Sequence, residues 1–216
     1  MLAIYTNSTW DVRLSNHFFN VHQQQFPLKH HPFFSELMHT GLKWLMVGIA
    51  LLSLLLAIMA KRMRTLKPYQ HPLLWVFVGM AVSSSVVAIL KHYSLQACPW
   101  DLTMYGGDLP LLGLFSSLPA GVEAGGCFPA GHPSGGFALM AFYFAFRKIK
   151  PQFAYGMLGL SIVMGLVMGV AQVMRGAHFL SHVLWSGWVV WVVLLLLYAF
   201  WRPEKVKNTP QSVTRN

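Results

Sequence analysis

The chain has 216 residues, of which 55% are hydrophobic and only 10% are charged, and its formal net charge is +10. A soluble domain of this length would need far more charged residues. The composition therefore excludes an ordinary soluble protein and favours an integral membrane protein.

The first 41 residues contain no long apolar run, and Asp11 and Arg13 near the start do not fit a signal-peptide pattern. Aromatic side chains mixed with histidines in this segment predict short interfacial helices that lie against the bilayer. We interpret these histidines as surface or headgroup contacts and not as metal ligands. They are His17, His22, His30, His31 and His39.

Five segments are apolar and approach the roughly 20 helical residues that cross a hydrocarbon core of about 30 Å. They cover residues 44–60, 73–90, 131–146, 155–174 and 179–201, and the third is the shortest. We therefore predict an all-α fold, an integral membrane helical bundle of about five transmembrane helices. The predicted parts are an extracytoplasmic or interfacial segment (1–41), a membrane domain (42–203) and a disordered cytoplasmic tail (204–216).

Charge placement orients these helices, because short loops rich in Lys and Arg stay on the cytoplasmic side. One set of loops contains a single acid, Glu204, and eleven cations. These cations are Lys61, Arg62, Arg64, Lys67, Arg147, Lys148, Lys150, Arg202, Lys205, Lys207 and Arg215. The other face is balanced by five cations and five acids: Arg13, Lys29, Lys43, Lys91 and Arg175, with Asp11, Glu36, Asp101, Asp108 and Glu123. Topology thus explains the basic charge, and we expect no nucleic-acid partner.

This orientation predicts a multi-pass protein of a bacterial-type inner membrane, with a cytoplasmic C-terminus and a periplasmic loop between the second and third crossings. With five crossings, the N-terminal segment must also lie outside. Either that segment crosses unaided or a preceding helix is missing from this chain.

The predicted periplasmic loop, residues 92–129, contains the only two cysteines, Cys98 and Cys127. On an oxidising face, a disulfide between them is the natural interpretation. Zinc binding is the alternative, and it would need two more ligands. Asp101 and Asp108 in the same loop either cap turns or contribute to a site.

Three motifs lie at the predicted periplasmic ends of the helices: Lys91-x6-Cys98-Pro99, Pro129-Ala130-Gly131-His132 and Gln172-x5-His178-x3-His182. They resemble the signature blocks of the type 2 phosphatidic acid phosphatase superfamily, whose common forms are K-x6-R-P, P-S-G-H and S-R-x5-H-x3-D. The order and the spacing match in all three blocks. The family usually has six transmembrane helices.

The resemblance implies a lipid phosphatase that acts through a phosphohistidine, without a cofactor or a metal. His178 would be the nucleophile and His132 the general acid. The implied phosphate-binding residues are Lys91, Ala130 and Gly131, and the implied partners are a lipid phosphate substrate and membrane lipids. Undecaprenyl diphosphate, phosphatidic acid, phosphatidylglycerol phosphate and lipid A are the implied substrates. These roles suit neutral imidazoles, which act as nucleophiles and proton carriers at about pH 7.

Four residues depart from the family pattern: Cys98, Ala130, Gln172 and His182. We expect Arg175, three residues after Gln172, to supply a missing phosphate-binding guanidinium. His182 stands where the family has the aspartate that orients the nucleophile, so another group could take that role. The candidates for orientation are His182, Asp101, Asp108 and Gln172.

Alternatives to the phosphatase stay open at this point. One is a lipid phosphotransferase that uses the same residues, and another is an inactive relative that binds a lipid phosphate. Purely structural histidines at the membrane interface are a third. A metal site is the fourth, because His178 and His182 have the i and i+4 spacing of zinc ligands, with His132 as a further candidate. The cations Lys91 and Arg175 favour an anion over a metal.

Overall fold

The computed structural model describes residues 9–113 and 116–204. The α-helices in these ranges are α1 (Thr9–Asn16), α2 (Leu42–Met59), α3 (Gln70–His92), α4 (Gly131–Ala138), α5 (Met140–Phe146), α6 (Pro151–Met174) and α7 (Leu180–Phe200). A π-helical segment, Phe33–Gly41, leads directly into α2. Short 3₁₀ turns lie at Lys67–Tyr69, Pro99–Asp101 and Thr103–Tyr105. The predicted tail lies outside the described residues, apart from Glu204.

The prediction of an all-α membrane bundle is confirmed. Within the described ranges, four helical stretches are long and apolar enough to cross a membrane: Phe33–Met59, Lys67–His92, Pro151–Met174 and Leu180–Phe200. The first of them begins well before residue 44, where we expected the first crossing to start. The π-helical segment, predicted to belong to the N-terminal region, is thus part of a continuous helix with α2.

The third predicted crossing is not one continuous helix. It is divided at Leu139 into α4 and α5, and the Leu139 N–H donates to the Gly136 carbonyl, three residues back, at 3.3 Å. Both pieces are packed among α3, α6 and α7, with Leu139 and Phe144 fully buried. A Cβ atom on Gly136 would lie 2.7 Å from the Gly165 backbone nitrogen, so glycine permits the close approach of α4 to α6.

The α4 and α5 helices together form one crossing. Lys150, after α5, lies over the Tyr69 ring just before α3 at 4.9 Å, whereas Lys91, at the end of α3, lies beside Gly131 at the start of α4, so the connections lie at two opposite ends of the bundle. The basic connections lie together at one end, where Lys148 forms an ion pair with Glu204 at 2.9 Å. The three motifs lie together at the other end. The placement of charged residues along the sequence predicts this separation.

The N-terminal segment, residues 9–41, covers the motif end of the bundle instead of lying apart from it. A carboxylate oxygen of Asp11 accepts the Ser181 N–H at 2.9 Å and so caps the first turn of α7. Tyr105 donates its hydroxyl to the Asn16 side chain at 2.8 Å. The Phe26 ring packs on Gly176. The burial of Asp11, Ser15 and Phe26 reflects these contacts. We name residues 9–41 the N-terminal cover.

Replacing Asp11 by Ala should loosen the cover, because the Ser181 N–H at the start of α7 would lose its acceptor. Loss of a capping side chain costs about 0.5–2 kcal/mol. We expect a lower melting temperature in detergent and faster proteolysis within residues 9–41. Asp108→Ala is the control, since it removes a carboxylate from the same end of the molecule. Identical melting and cleavage in Asp11→Ala and wild type would contradict this role.

Candidate functional site

The loop between α3 and α4 folds back on itself and brings the first two motifs together. The Cys127 N–H donates to the Gln96 carbonyl at 2.9 Å, and Cys98 and Cys127 form a disulfide. A Cβ atom on Gly125 would lie 2.3 Å from the Ala97 Cα atom, so the two segments can approach this closely only with glycine at 125. The end of α3 is thereby held beside the start of α4.

Lys91 lies against the first turn of α4. Its Cδ atom would be 3.6 Å from a Cβ atom on Gly131, and its side chain is half-buried. The Ala130 N–H, which we expected to face a phosphate, donates to the His182 carbonyl at 3.1 Å. The N–H groups of Gly131 and His132, at the start of the helix, have no acceptor within α4. They are the backbone donors best placed for an anion next to Lys91.

His178 lies in the turn between α6 and α7, where it is 95% buried. The preceding turn requires Gly176, which has φ +73° and carries the Phe26 ring against its face. The His178 Nδ1 atom is 3.3 Å from Cys127 Sγ. A disulfide sulfur has no proton to donate, so this contact suits the tautomer with hydrogen on Nδ1 and a lone pair on Nε2.

Burial lowers the pKa of His178 well below its usual value, and the charges of His182 and Lys91 act in the same direction. The carbonyl of Cys127 opposes this shift. His178 is therefore neutral around neutral pH, which is the form that a nucleophilic imidazole requires.

His182, the residue at the family's aspartate position, does not hold His178 in the way a carboxylate would. The two imidazole rings lie edge to face with their centroids 5.9 Å apart. The His182 Nδ1 atom is buried and has no hydrogen-bond partner. Cys127, rather than His182, makes the close contact with the Nδ1 atom of His178.

The proposed zinc pair needs correction. His178 and His182 do not share a helix face, because α7 begins only at Leu180. Within the described ranges, one group of three possible ligands brings its atoms within 4.8 Å of one another, namely Cys98, Cys127 and His178. Its two sulfurs are bonded to each other, and zinc binds thiolates.

His132 lies at the start of α4, in contact with the N-terminal cover. Its Nε2 atom donates to the Met38 carbonyl at 2.7 Å. Its ring stacks on His39, with centroids 4.5 Å apart and an interplanar angle of 22°. We predicted His39 as a surface histidine, and its contact with His132 shows that this was wrong.

Arg175 follows α6 and is also held by the cover. Its Nε and Nη2 atoms donate to the Lys29 carbonyl at 3.2 and 3.0 Å, and Nη1 donates to the Gln172 side chain at 3.3 Å. The charge of Arg175 acts on both His132 and His39. Gln172, a candidate for orienting the nucleophile, therefore contacts Arg175 instead.

The two carboxylates proposed for orientation lie in the turns after Cys98. Asp101 accepts the Trp100 indole N–H at 3.0 Å, and burial raises its pKa. Asp108 is exposed further along the loop. In the part of the chain that the structure describes, neither carboxylate hydrogen-bonds to His178.

An apolar groove with a volume of about 470 Å³ opens beside His132 and lies between α2, α3 and α4. His39 and Lys43 lie at the end near His132. The walls further along include Met46, Val47, Phe77, Met80 and Met168. Polar groups at one end and apolar walls beyond them suit a molecule with a charged head and a hydrocarbon chain.

The family assignment rests on a longer stretch than the three motifs. The profile of the PAP2 superfamily matches residues 72–205, more than half of the chain. The protein belongs to the PAP2 superfamily. The resemblance inferred from the motifs is thereby confirmed. No curated protein and no solved structure matches the chain. The PAP2 range contains Lys91, His132 and His178, whereas α1 and α2 precede it.

Three residues outside the PAP2 range also belong to the site or support it: Asp11, His39 and Lys43. Spacing could have identified two of them, because His39 and Lys43 stand four residues apart just before an apolar run and so share a helix face. Asp11 gives no such signal. Its partner, Ser181, lies 170 residues further along the chain.

The disulfide should be needed for activity. We expect protein isolated without reductant to contain no free thiol, and Cys98→Ser, Cys127→Ser and reduction to lower activity to a similar degree. Each change opens a loop whose ends are 29 residues apart. In the chain-entropy model, closing a loop of that length stabilises the folded state by about 3–4 kcal/mol. Alkylation with mass measurement counts the thiols, and release of inorganic phosphate reports activity.

The double variant Cys98→Ser with Cys127→Ser is the control for this disulfide. It should be no less active than either single variant, because all three lack the same bond. Two freely alkylated thiols in unreduced, folded protein would contradict the disulfide.

Proposed function

We propose that this PAP2 superfamily protein hydrolyses a phosphate monoester or diphosphate of a membrane lipid, with a phosphohistidine at His178 as the intermediate. Superfamily members are phosphatases, which supports hydrolase activity in general. The observation that carries the lipid substrate is the groove beside His132, which has Lys43 and His39 at its polar end and apolar walls within the bundle. The lipid chain would lie in this groove, with its phosphate near Lys91 and Gly131.

In the first step, the Nε2 lone pair of His178 attacks phosphorus while the bond from phosphorus to the leaving oxygen breaks. His132 gives a proton to that oxygen. Protonated His132 can keep its Nε2–H on the Met38 carbonyl and use its Nδ1–H for the leaving group. The contact of His178 Nδ1 with Cys127 Sγ supports this use of Nε2.

In the second step, a water oxygen attacks phosphorus and His132 takes a proton from that water. The electrons of the N–P bond return to His178, and inorganic phosphate leaves. One histidine thus acts first as an acid and then as a base. The negative charge of the bound phosphate would favour the protonated form of His132 that the first step needs.

Positive charge stabilises the phosphoryl group while it is transferred, because negative charge is spread over its three equatorial oxygens. Lys91 would supply part of this charge beside the N–H groups that open α4. Arg175 would supply more on the His132 side of the site. A phosphate oxygen would take the place that the Lys29 carbonyl occupies on this guanidinium.

We place the site at the periplasmic face of a bacterial-type inner membrane, with the C-terminus in the cytoplasm. The basic connections at the opposite end of the bundle support this orientation. A disulfide at the motif end is also in keeping with an oxidising compartment.

Replacing His178 by Ala should abolish phosphate release from a panel of lipid phosphates, because no nucleophile remains. His132→Ala should lower the rate by about 10² or more, the usual contribution of general acid catalysis. Release of inorganic phosphate measures both effects. His22→Ala is the matched control, since His22 is an exposed histidine of the same end.

Wild-type rates in His178→Ala would disprove the mechanism. Other results would favour the two rival functions. Binding of a lipid phosphate without any turnover by the wild-type protein would support a non-catalytic lipid-binding protein. Transfer of labelled phosphate to a second lipid would support a phosphotransferase.

Exhaustive treatment with EDTA should leave the activity unchanged, because the cations that this mechanism uses are side chains, Lys91 and Arg175. Phosphate release from the same lipid before and after chelation is the measurement. Loss of activity on chelation, followed by recovery with added zinc, would instead support a metal site at the histidines.

A further inference from the structure

The groove has two basic residues at its mouth that belong to none of the three motifs. His39 and Lys43 lie on the same face of the first membrane-spanning helix, four residues apart, and both line the groove next to His132. Along that face, the helix continues with Met46, Val47 and Ala50, which form the apolar wall. The face therefore changes from an imidazole and one cation, Lys43, to apolar side chains in the direction in which a lipid would lie.

His39 is in direct contact with the catalytic machinery. Its ring stacks on that of His132. The charges that act on His39 come from Arg175, Lys43 and Lys91, and all three are positive. Residues from three separate parts of the chain thus concentrate positive charge beside the proposed general acid.

These cations have no carboxylate partner in the described ranges. The ion pair found there joins Lys148 to Glu204 at the opposite end of the bundle. Like charges that are held together without an acid repel one another, and a bound anion relieves that repulsion. In the proposed function, Lys91 and the N–H groups at the start of α4 bind the transferred phosphoryl group. Lys43 and His39 are therefore free to bind a second phosphate.

We propose that His39 and Lys43 form a second anion subsite, which holds a phosphate that stays on the lipid while the adjacent phosphoryl group is transferred to His178. This proposal rests on the proposed phosphatase function and specifies its substrate. The site would prefer a lipid with two adjacent phosphates over a monophosphate with the same chain. The retained phosphate would lie between the transferred group and the apolar part of the groove.

Farnesyl phosphate and farnesyl diphosphate test this preference, because they share one chain and differ by one phosphate. Lys43→Met keeps most of the aliphatic stem without the charge, and His39→Phe keeps an aromatic ring for stacking without its nitrogens. Each variant should lower kcat/KM for the diphosphate by about tenfold, chiefly through KM, as expected for a lost hydrogen bond to a charged group. The deciding readout is the ratio of kcat/KM for the diphosphate to kcat/KM for the monophosphate, which should fall severalfold because only the diphosphate has a second phosphate to lose contact with.

Arg13→Met is the matched control. It removes an exposed cation from the same end of the molecule without touching the groove, so it should leave the ratio of the two kcat/KM values at the wild-type level. Thiol counting and the melting temperature show whether each variant is folded. Equal losses on both lipids, or no loss on either, would overturn the second subsite.

A binding measurement separates this proposal from the proposed function. In the His178→Ala background, which cannot form the phosphohistidine, farnesyl diphosphate should raise the melting temperature more than farnesyl phosphate does. Adding Lys43→Met should remove the difference. If the wild-type protein hydrolyses neither lipid but this difference is present, the subsite stands and the phosphatase proposal fails. Equal stabilisation by the two lipids would overturn the subsite even in an active phosphatase.

Discussion

The disulfide between Cys98 and Cys127 holds the motif end of the bundle together, and its Cys127 sulfur lies 3.3 Å from Nδ1 of His178. The same bridge closes the base of the loop that places Lys91 beside the start of α4. Backbone hydrogen bonds act with the bridge, from the Cys127 N–H to the Gln96 carbonyl and from the Trp100 N–H to the Gly176 carbonyl. The positions of Lys91 and His178 relative to the start of α4 therefore depend on contacts within this loop as well as on helix packing.

The N-terminal cover gives the site its second boundary. Its Lys29 carbonyl accepts hydrogen bonds from Arg175, a donor that the proposed phosphate ester would use, and its Met38 carbonyl accepts the Nε2–H of His132. A carbonyl oxygen satisfies these buried donors without adding charge, so the site is stable before an anion arrives. In the proposed mechanism, a phosphate oxygen would share or replace the Lys29 oxygen on Arg175, so the cover would affect the affinity for phosphate.

Periodicity, charge placement and motif spacing predicted the helical bundle and the common location of His132 and His178, because these follow from local sequence and alternating topology. They could not predict the break at Leu139, which depends on the close approach of α4 to α6. The contact of His178 with Cys127 was also missed. The family pattern places an aspartate four residues after His178. No local pattern in the sequence shows that a sulfur from a distant loop contacts His178 instead. His39 was misinterpreted because its partner, His132, comes from another helix.

The substitutions in the motifs are easier to understand from positions in space than from positions in sequence. Cys98 and Gln172 stand where the family has arginines, and each now makes a structural contact: Cys98 in the disulfide and Gln172 with Arg175. Positive charge reaches the same region from Arg175 and, before the PAP2 range begins, from Lys43. A site built from the PAP2 range alone would lack Lys43, His39 and one wall of the groove. In the proposed site, the first membrane-spanning helix would therefore contribute Lys43 and His39 at the end where the lipid head would lie and apolar side chains where its chain would lie.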